Sequence, residues 1–305
     1  MLVYRTYTEA KNTAPYCITM GSFDGVHIGH KKLIEITIKK SEELNCKSMV
    51  YTFNRHPKKA IIPGVLPELI TTEKSRMRIF EQTGLDSIYL EDFLKIKGIN
   101  AQNFVEEILI KNFKVKCIVA GYNFRFGKNR EGDIETLKSL GYKHGFSVIE
   151  VKPVIIMDKI VSSSLIRELI KSGEMEKARE NLGRYFSITG TVIHGSKRGS
   201  KLGIRTANVE ISKNIVMPKT GVYFTNTVCN GSVYGSVTNI GCNPTFNGDK
   251  ISIETHIFNF EDTIYNSEIE IIFLKWRREE ITFNCAKELK EQINRDIKDR
   301  LSFYP

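Results

Sequence analysis

Two histidines, His27 and His30, flank Gly29 in the stretch GSFDGVHIGH (21–30). Imidazoles donate hydrogen bonds or carry positive charge, and a glycine between them lets backbone and ligand approach closely. The pair lies between an apolar run, YCITMGSF (16–23), and a charged amphipathic run, IGHKKLIEITIKKSEELN (28–45). Read as strand, turn and helix, this puts both rings at a helix N-terminus, where open N–H groups and the helix dipole favour anions. The chemistry that fits is stabilising charge on the α-phosphate of ATP during adenylyl transfer. No covalent intermediate is needed, because a substrate phosphate can itself be the nucleophile. The plain alternative is a histidine pair that only caps a helix.

The elements that must position this pair alternate along the first half of the chain. KSMVYTF (47–53), SIYLEDF (87–93) and VKCIVAGYNF (115–124) read as strands. EKSRMRIFEQTG (73–84), closed by Gly84, and AQNFVEEILIKNF (101–113) read as helices. A further helix–strand pair covers 131–152, and SSSLIRELIKSGEMEKARENLG (162–183) reads as helices opening at a serine cap. Such alternation predicts a parallel sheet with helices on both faces and ligands beyond the carboxyl ends of the strands. Near residue 186 the character changes. FSITGTVIHG, GVYFTNTV, SVYGSVTNIG, ISIETHIF and EIEIIFLKW are short β-rich runs that predict a barrel or sandwich. ITFNCAKELKEQINRDIKDRL ends the chain with the spacing of an amphipathic helix. The expected organisation is an α/β Rossmann-like domain over 1–185 and a small β domain over 186–305.

The length of 305 residues suits two domains, and the 41% hydrophobic, 26% charged composition is that of a globular protein. No apolar run approaches membrane-spanning length, and the N-terminus has no apolar signal core, so a cytoplasmic protein is expected. The six cysteines form no CxxC and none stands at zinc spacing, so they read as buried, reduced thiols. The net charge of +10 fits a nucleic-acid partner or small polyanions such as ATP. The lysines are scattered rather than blocked, without interleaved aromatics, which favours a solvated surface and no nucleic acid.

Three further stretches lie where strand ends or helix starts would face one crevice: TFNRHP (52–57), GYNFRFGKNREG (121–132) and VSSSLIR (161–167). With GSFDGVHIGH, and in this order, they resemble the N-terminal module of bacterial bifunctional riboflavin kinase/FMN adenylyltransferases, whose patterns are close to GxFDGVHxGH, TFxPHP, GxDFRFGxxRxG and ISSTxIR. Class I aminoacyl-tRNA synthetases also carry the His-x-Gly-His tetrapeptide, but VSSSLIR stands where they have a KMSKS-type loop. The resemblance implies a nucleotidyltransferase domain in which His27 and His30 bind the ATP phosphates. Gly21, Phe23, Asp24 and Gly29 would form the nucleotide loop, and Asn123 would contact the reacting phosphates. Ser163, Ser164 and Arg167 would hold the leaving pyrophosphate. Phe53, His56 and Pro57 would line the flavin or nucleotide pocket. Arg55 departs from the family's Pro, Asn123 from its frequent Asp and Ser164 from its Thr.

The second half opens with GTVIHGSKRGSKLGIRTANVE (190–210), which has three residues between the glycines of GSKRGSK where a P-loop has four. It is similar to the riboflavin kinase pattern GxVxxGxxxGRxLGFPTAN. TNIGCNPTF (238–246), IETHIFNF (253–260) and FLKWRREEITF (273–283) continue that likeness. The resemblance implies a small riboflavin-kinase-type β-barrel with a C-terminal helix. Thr206 and Asn208 would hold Mg²⁺ and phosphates, Gly195, Lys201 and Gly203 would shape the phosphate loop, and Glu280 would be the general base. The implied reactions use ATP and Mg²⁺ to turn riboflavin into FMN and then FMN into FAD, in a monomer or weak homo-oligomer. Arg205 stands for the Pro of PTAN and Ser200 for the Arg of GR, and Trp276–Arg277 fall at a normally apolar step. These departures leave open a chain that is mainly an FMN adenylyltransferase with a weakened or lost kinase. A nucleic-acid-binding regulator is the contrasting class.

Overall fold

The computed structural model of the chain describes residues 1–11, 15–55, 57, 68–195, 205–212, 214–245, 248–283 and 285–303. Tertiary contacts divide it into two units, Met1–Ser163 and Ser164–Pro305.

The first unit is built on six parallel strands: β1 (Leu2–Tyr4), β2 (Tyr16–Met20), β3 (Lys47–Phe53), β4 (Ser87–Glu91), β5 (Cys117–Gly121) and β6 (Ser147–Val151), in the order β1-β4-β3-β2-β5-β6. The chain winds outward from β2 through β3 to β4, then returns to place β5 on the other side of β2. β2 is buried along its whole length. Tyr16, Ile18 and Met20 join the core on one face, while Cys17 packs with Cys117 and Val119 on the other. Burial on both faces explains why this strand reads as an apolar run without alternation.

The helices are set by their caps. His27 caps Ile28–Glu43, Thr72 caps Glu73–Glu81 by accepting from the Ser75 N–H, and Asp133 caps Ile134–His144 by accepting from the Thr136 N–H. The helical run over 101–113 departs from the expected α-helix, because Phe104–Ile110 is a π-helix. The Lys111 N–H reaches back five residues to the Glu106 carbonyl, and this wide turn keeps Phe104, Val105, Ile108 and Leu109 all buried.

In the second unit six antiparallel strands close a barrel in the order β10-β13-β12-β11-β14-β9. After the small hairpin β7 (Ile155–Ile156) and β8 (Lys159–Ile160) of the first unit, these are β9 (Phe186–Ile193), β10 (Ala207–Ile211), β11 (Gly221–Cys229), β12 (Ser232–Thr245), β13 (Gly248–Ile257) and β14 (Glu268–Arg278). Closure leaves no free sheet edge. Part of the interior is a chain of fully buried hydroxyls: Thr227, Ser236, Thr225, Thr238 and Thr255 are linked at 2.8–2.9 Å. Hydroxyls can each donate and accept, so the chain satisfies itself without water. On the outside, Val222, Phe224 and Leu274 pack with Ile297 of the terminal helix Ala286–Leu301.

The division at Ser163/Ser164 differs from the boundary expected at 185. Residue 185 marks where the strands begin, but the preceding helix Met175–Leu182 packs on β9 and β14. Among the described residues the cysteines are free thiols. Cys17, Cys117 and Cys229 are buried as expected, whereas Cys46 is half-buried and Cys285, just before the terminal helix, is exposed.

A buried ion pair is among the bonds that tie that helix to the barrel. Arg278 donates through Nε and Nη2 to both carboxylate oxygens of Asp296, which is 2% exposed. Removing one partner of a buried pair strands the other charge. Arg278→Ala is therefore expected to lower the stability of this unit by about 3 kcal/mol. The urea midpoint followed by the fluorescence of Trp276, the chain's one tryptophan, measures it.

Candidate functional site

The turn between β2 and the helix Ile28–Glu43 runs through conformations that side chains seldom adopt. Phe23, Gly25 and Val26 have φ of +49°, +81° and +39°, and Phe23 and Val26 are fully buried. A β-branched residue at positive φ is strained and persists only where its surroundings enforce it. Here the enforcement is visible. The buried Asp24 carboxylate accepts from the N–H groups of Ile70 and Thr71 at 3.0–3.3 Å. The Gly25 N–H donates to Thr71 Oγ1 at 3.2 Å, and Ser163 Oγ donates to the Asp24 carbonyl at 2.9 Å.

The result is a stacked imidazole pair. The rings of His27 and His30 lie 3.6 Å apart between centroids at 17°, and the His30 N–H donates to His27 Nδ1 at 3.3 Å. A Cβ on Gly29 would come within 3.2 Å of the His27 ring, so glycine leaves the room that the stack needs. The first turn of this helix has no acidic residue, which leaves its positive end open to an anion.

Both histidines line a cavity of about 940 Å³ formed by the carboxyl ends of β2, β3, β5 and β6 and the loops after them. This is the crevice where strand order reverses around β2, the expected binding place in an open parallel sheet. Gly21, Phe23, Gly29, Phe53, Asn123 and Ser163 also line it. Asp24 does not line it, since its carboxylate is turned to the backbone at 70–71 and anchors the turn from behind. Pro57 does not line it either, and His56 lies outside the described residues. Ser164 and Arg167 belong to the second unit, near the start of the helix Ser163–Lys171, Ser164 exposed and Arg167 half-buried.

Sequence reasoning missed most of the aromatic lining. Tyr51, Phe93, Phe104, Phe124 and Phe126 all face the cavity, with Phe124 and Phe126 stacked at 5.6 Å and 14°. The spacing of NFRF was the available signal, since alternate residues share a face. Tyr51 is fixed from beneath. Its hydroxyl donates to the buried Glu91 at 2.6 Å, and the Tyr7 hydroxyl donates to the same carboxylate oxygen. Burial first, and then the Glu91 charge, push the Tyr51 hydroxyl well above its ordinary pKa, so it stays a proton donor. Lys97, Arg125, Arg130 and Lys152 also line the cavity and make it attractive to polyanions.

The barrel gathers a second group of polar residues. Register places Asn208 of β10 opposite Glu254 of β13, and Glu254 opposite Asn239 of β12. Directly paired residues share a face, and their neighbours Thr255 and Thr238 point into the barrel, so this trio faces outward. A Cβ on Gly195 would come within 2.1 Å of the Asn208 amide, so Gly195 is the space that Asn208 fills. Thr206 is half-buried two residues ahead of Asn208. Glu280 is exposed just beyond β14 and accepts from the Asn239 amide at 3.0 Å. Glu254 was not singled out from the sequence, although IETHIF was; only strand pairing brings it to Asn208. Lys201 and Gly203, with Ser200, lie outside the described residues. Arg205 is well held without the proline's ring. Its carbonyl accepts from His256 Nδ1 at 2.7 Å, and its Nη1 donates to the Glu261 carbonyl at 3.0 Å. Because a carbonyl only accepts, His256 carries a proton on Nδ1.

Comparison with known proteins covers both units. The FAD synthetase family model matches residues 9–165 and the riboflavin kinase family model residues 182–303. A bifunctional riboflavin kinase/FMN adenylyltransferase of Buchnera aphidicola subsp. Schizaphis graminum is 36% identical over 286 residues, 92% of this chain and 91% of that protein. One of Bacillus subtilis (strain 168) is 35% identical over 293 residues, 94% of this chain and 92% of that protein. A solved structure described as a macrolide-efflux protein from Streptococcus pneumoniae aligns over 99% of both chains at a TM-score of 0.92 and 28% identity. Among the described residues no helix is long and apolar enough to cross a membrane.

If Gly29 is the space for the histidine stack, Gly29→Ala displaces the His27 ring. The imidazole NMR signals of His27 and His30 are expected to shift in that variant. Gly98→Ala, where a Cβ meets nothing within 4 Å, is expected to leave them in place.

Proposed function

The chain belongs to the bifunctional riboflavin kinase/FMN adenylyltransferase family and makes FAD in two ATP-dependent steps, and from that premise we propose how its residues divide the work. Riboflavin is phosphorylated to FMN in the barrel unit. FMN is then adenylylated to FAD, with release of pyrophosphate, in the parallel-sheet unit. The observation that carries the second assignment is the stacked His27–His30 pair at a helix N-terminus inside the cavity.

In adenylyl transfer an oxygen of the FMN phosphate attacks the α-phosphorus of ATP, and the bond to the β-phosphate oxygen breaks. Negative charge builds on the α-phosphate oxygens. His27 accepts the His30 N–H at Nδ1, so a neutral ring carries its proton on Nε2 and donates it to a phosphate oxygen. His30 adds a second donor, and the open helix end adds its N–H groups and partial charge. Asn123 contacts the reacting phosphates from the loop after β5. Ser163, from VSSSLIR, lines this cavity and takes the pyrophosphate side. The flat aromatic wall of Phe53, Phe124 and Phe126 takes the isoalloxazine ring, and Gly21, Phe23 and Gly29 shape the nucleotide side. Asp24 acts behind the turn.

In the barrel Thr206 and Asn208 offer neutral oxygens and Glu254 a carboxylate beside them. The neutral oxygens of Thr206 and Asn208 fit Mg²⁺, which keeps several waters and takes few protein ligands, and proton transfer is left to the Glu254 carboxylate opposite Asn208. When bound, Mg²⁺ neutralises charge on the transferring phosphates. Gly195 gives Asn208 the room to face those phosphates. Glu254 takes the proton of the ribityl hydroxyl. The sequence pointed to Glu280 for this task, but Glu280 is exposed and bound to Asn239, whereas Glu254 stands in register with Asn208. His256 does the work of the missing proline by fixing the turn before Thr206, which supports a working kinase. The partners are free small molecules, and free thiols in the described cysteines suit a cytoplasmic setting, for a monomer or weak homo-oligomer without nucleic acid.

The pure full-length chain is assayed in two ways, for FAD from FMN and for FMN from riboflavin, each with ATP and Mg²⁺. His30→Ala is expected to lower the first rate about 10²–10³-fold and leave the second unchanged, and equal loss in both contradicts the two-site assignment. Glu254→Gln is expected to lower the second rate by about 10²–10⁴-fold with the first unchanged. Glu280→Gln should fall well short of that loss; the reverse ranking returns the base to Glu280.

A further inference from the structure

The carbonyls of Ser22 and Phe53 close two strands beneath the cavity, and both end on one side chain. β2 and β3 stay paired up to the Gly21 N–H, which donates to the Tyr51 carbonyl at 3.2 Å. Beyond that bond the ladder stops, because the chain after β2 enters the strained turn and β3 ends at Phe53. The guanidinium of Arg76, from the helix Glu73–Glu81, fills the gap. Its Nη1 donates to the Ser22 carbonyl at 2.8 Å and its Nη2 to the Phe53 carbonyl at 2.7 Å. Thr52 Oγ1 adds a bond to the Ser22 carbonyl at 3.2 Å.

This is a costly residue to place here. The Arg76 Nε is buried without a hydrogen-bond partner, and its charge is balanced mainly by Asp24 and Glu73. Burial lowers its pKa from the ordinary value, with those two carboxylates opposing the shift. An apolar side chain would sit under a sheet end at less cost. What only a guanidinium supplies is two coplanar donors, set to hold two carbonyls at a fixed separation. The clamp also puts positive charge below the phosphate turn. Arg76 does not line the cavity, so it acts through the backbone it holds.

We propose that Arg76 is a positioning residue for adenylyl transfer: its two-carbonyl clamp holds the Gly21–Val26 turn in the strained form that presents His27 and His30 to the phosphates. The inference rests on the assignment of adenylyl transfer to this cavity. It is tested with full-length Arg76→Ala and Arg76→Lys, each assayed for FAD from FMN and, in the same preparation, for FMN from riboflavin. A misplaced turn is expected to lower kcat for FAD about 10²-fold in Arg76→Ala, with the kinase rate unchanged. Arg76→Lys, with one nitrogen, should keep part of the rate. Millimolar guanidinium should restore Arg76→Ala, and equal ammonium should not. A wild-type rate in Arg76→Ala overturns the proposal. So does a parallel loss of both activities, or a loss that neither lysine nor guanidinium recovers. If the unaltered chain itself makes no FAD from FMN, the assignment of the cavity fails instead.

Discussion

At the carboxyl end of β2 the backbone leaves its ladder, turns through three residues at positive φ and starts a helix two residues later. Every polar group it exposes on the way must find a partner, because the turn is buried. The partners come from well apart in the sequence: Tyr51 and Thr52 from β3, the N–H groups of Ile70 and Thr71, Arg76 from a helix, and Ser163. Remove that enclosure and the turn relaxes to ordinary angles, and the helix start no longer aims its histidines at the crevice. The fold of the first unit thus has one demanding feature, and the sheet order around β2 supplies both its anchors and the cavity it serves.

The barrel solves a different problem. Its strands are closed and largely satisfied, with a self-contained chain of hydroxyls inside. Rigidity of the wall then makes register the organising constraint. A slip of one residue between β10 and β13 would turn either Asn208 or Glu254 inward among those hydroxyls and dissolve the outer trio. Buried hydroxyls resist such a slip, because it would cost them buried hydrogen-bond partners.

Much of this was readable in the residues. Strand–helix alternation and the later β-rich runs foretold both architectures, since burial on one or two faces leaves a direct imprint on apolar spacing. His27, Gly29 and His30 were legible because one short stretch carries the strand end, the turn and the helix start. What escaped were features made by pairing across distance. Glu254 gains meaning only from its register with Asn208, and Arg76 only from the gap between β2 and β3. Asp24 was read as a ligand-side residue because it sits in the motif, but its carboxylate points to the backbone at 70–71. The π-turn at Phe104–Ile110 was invisible because its apolar pattern is also compatible with an α-helix. The boundary at 185 followed the change in composition, whereas packing assigns the helix Met175–Leu182 to the barrel.

The proposed division of labour gives each step its own site, disabled by its own residue. Mixing two full-length variants tests that division. His30→Ala and Glu254→Gln are combined with riboflavin, ATP and Mg²⁺, and FAD is measured against each variant alone. Little FAD is expected from either alone and restored FAD from the mixture, as FMN made by the first variant is adenylylated by the second. A mixture no better than its components would contradict that division.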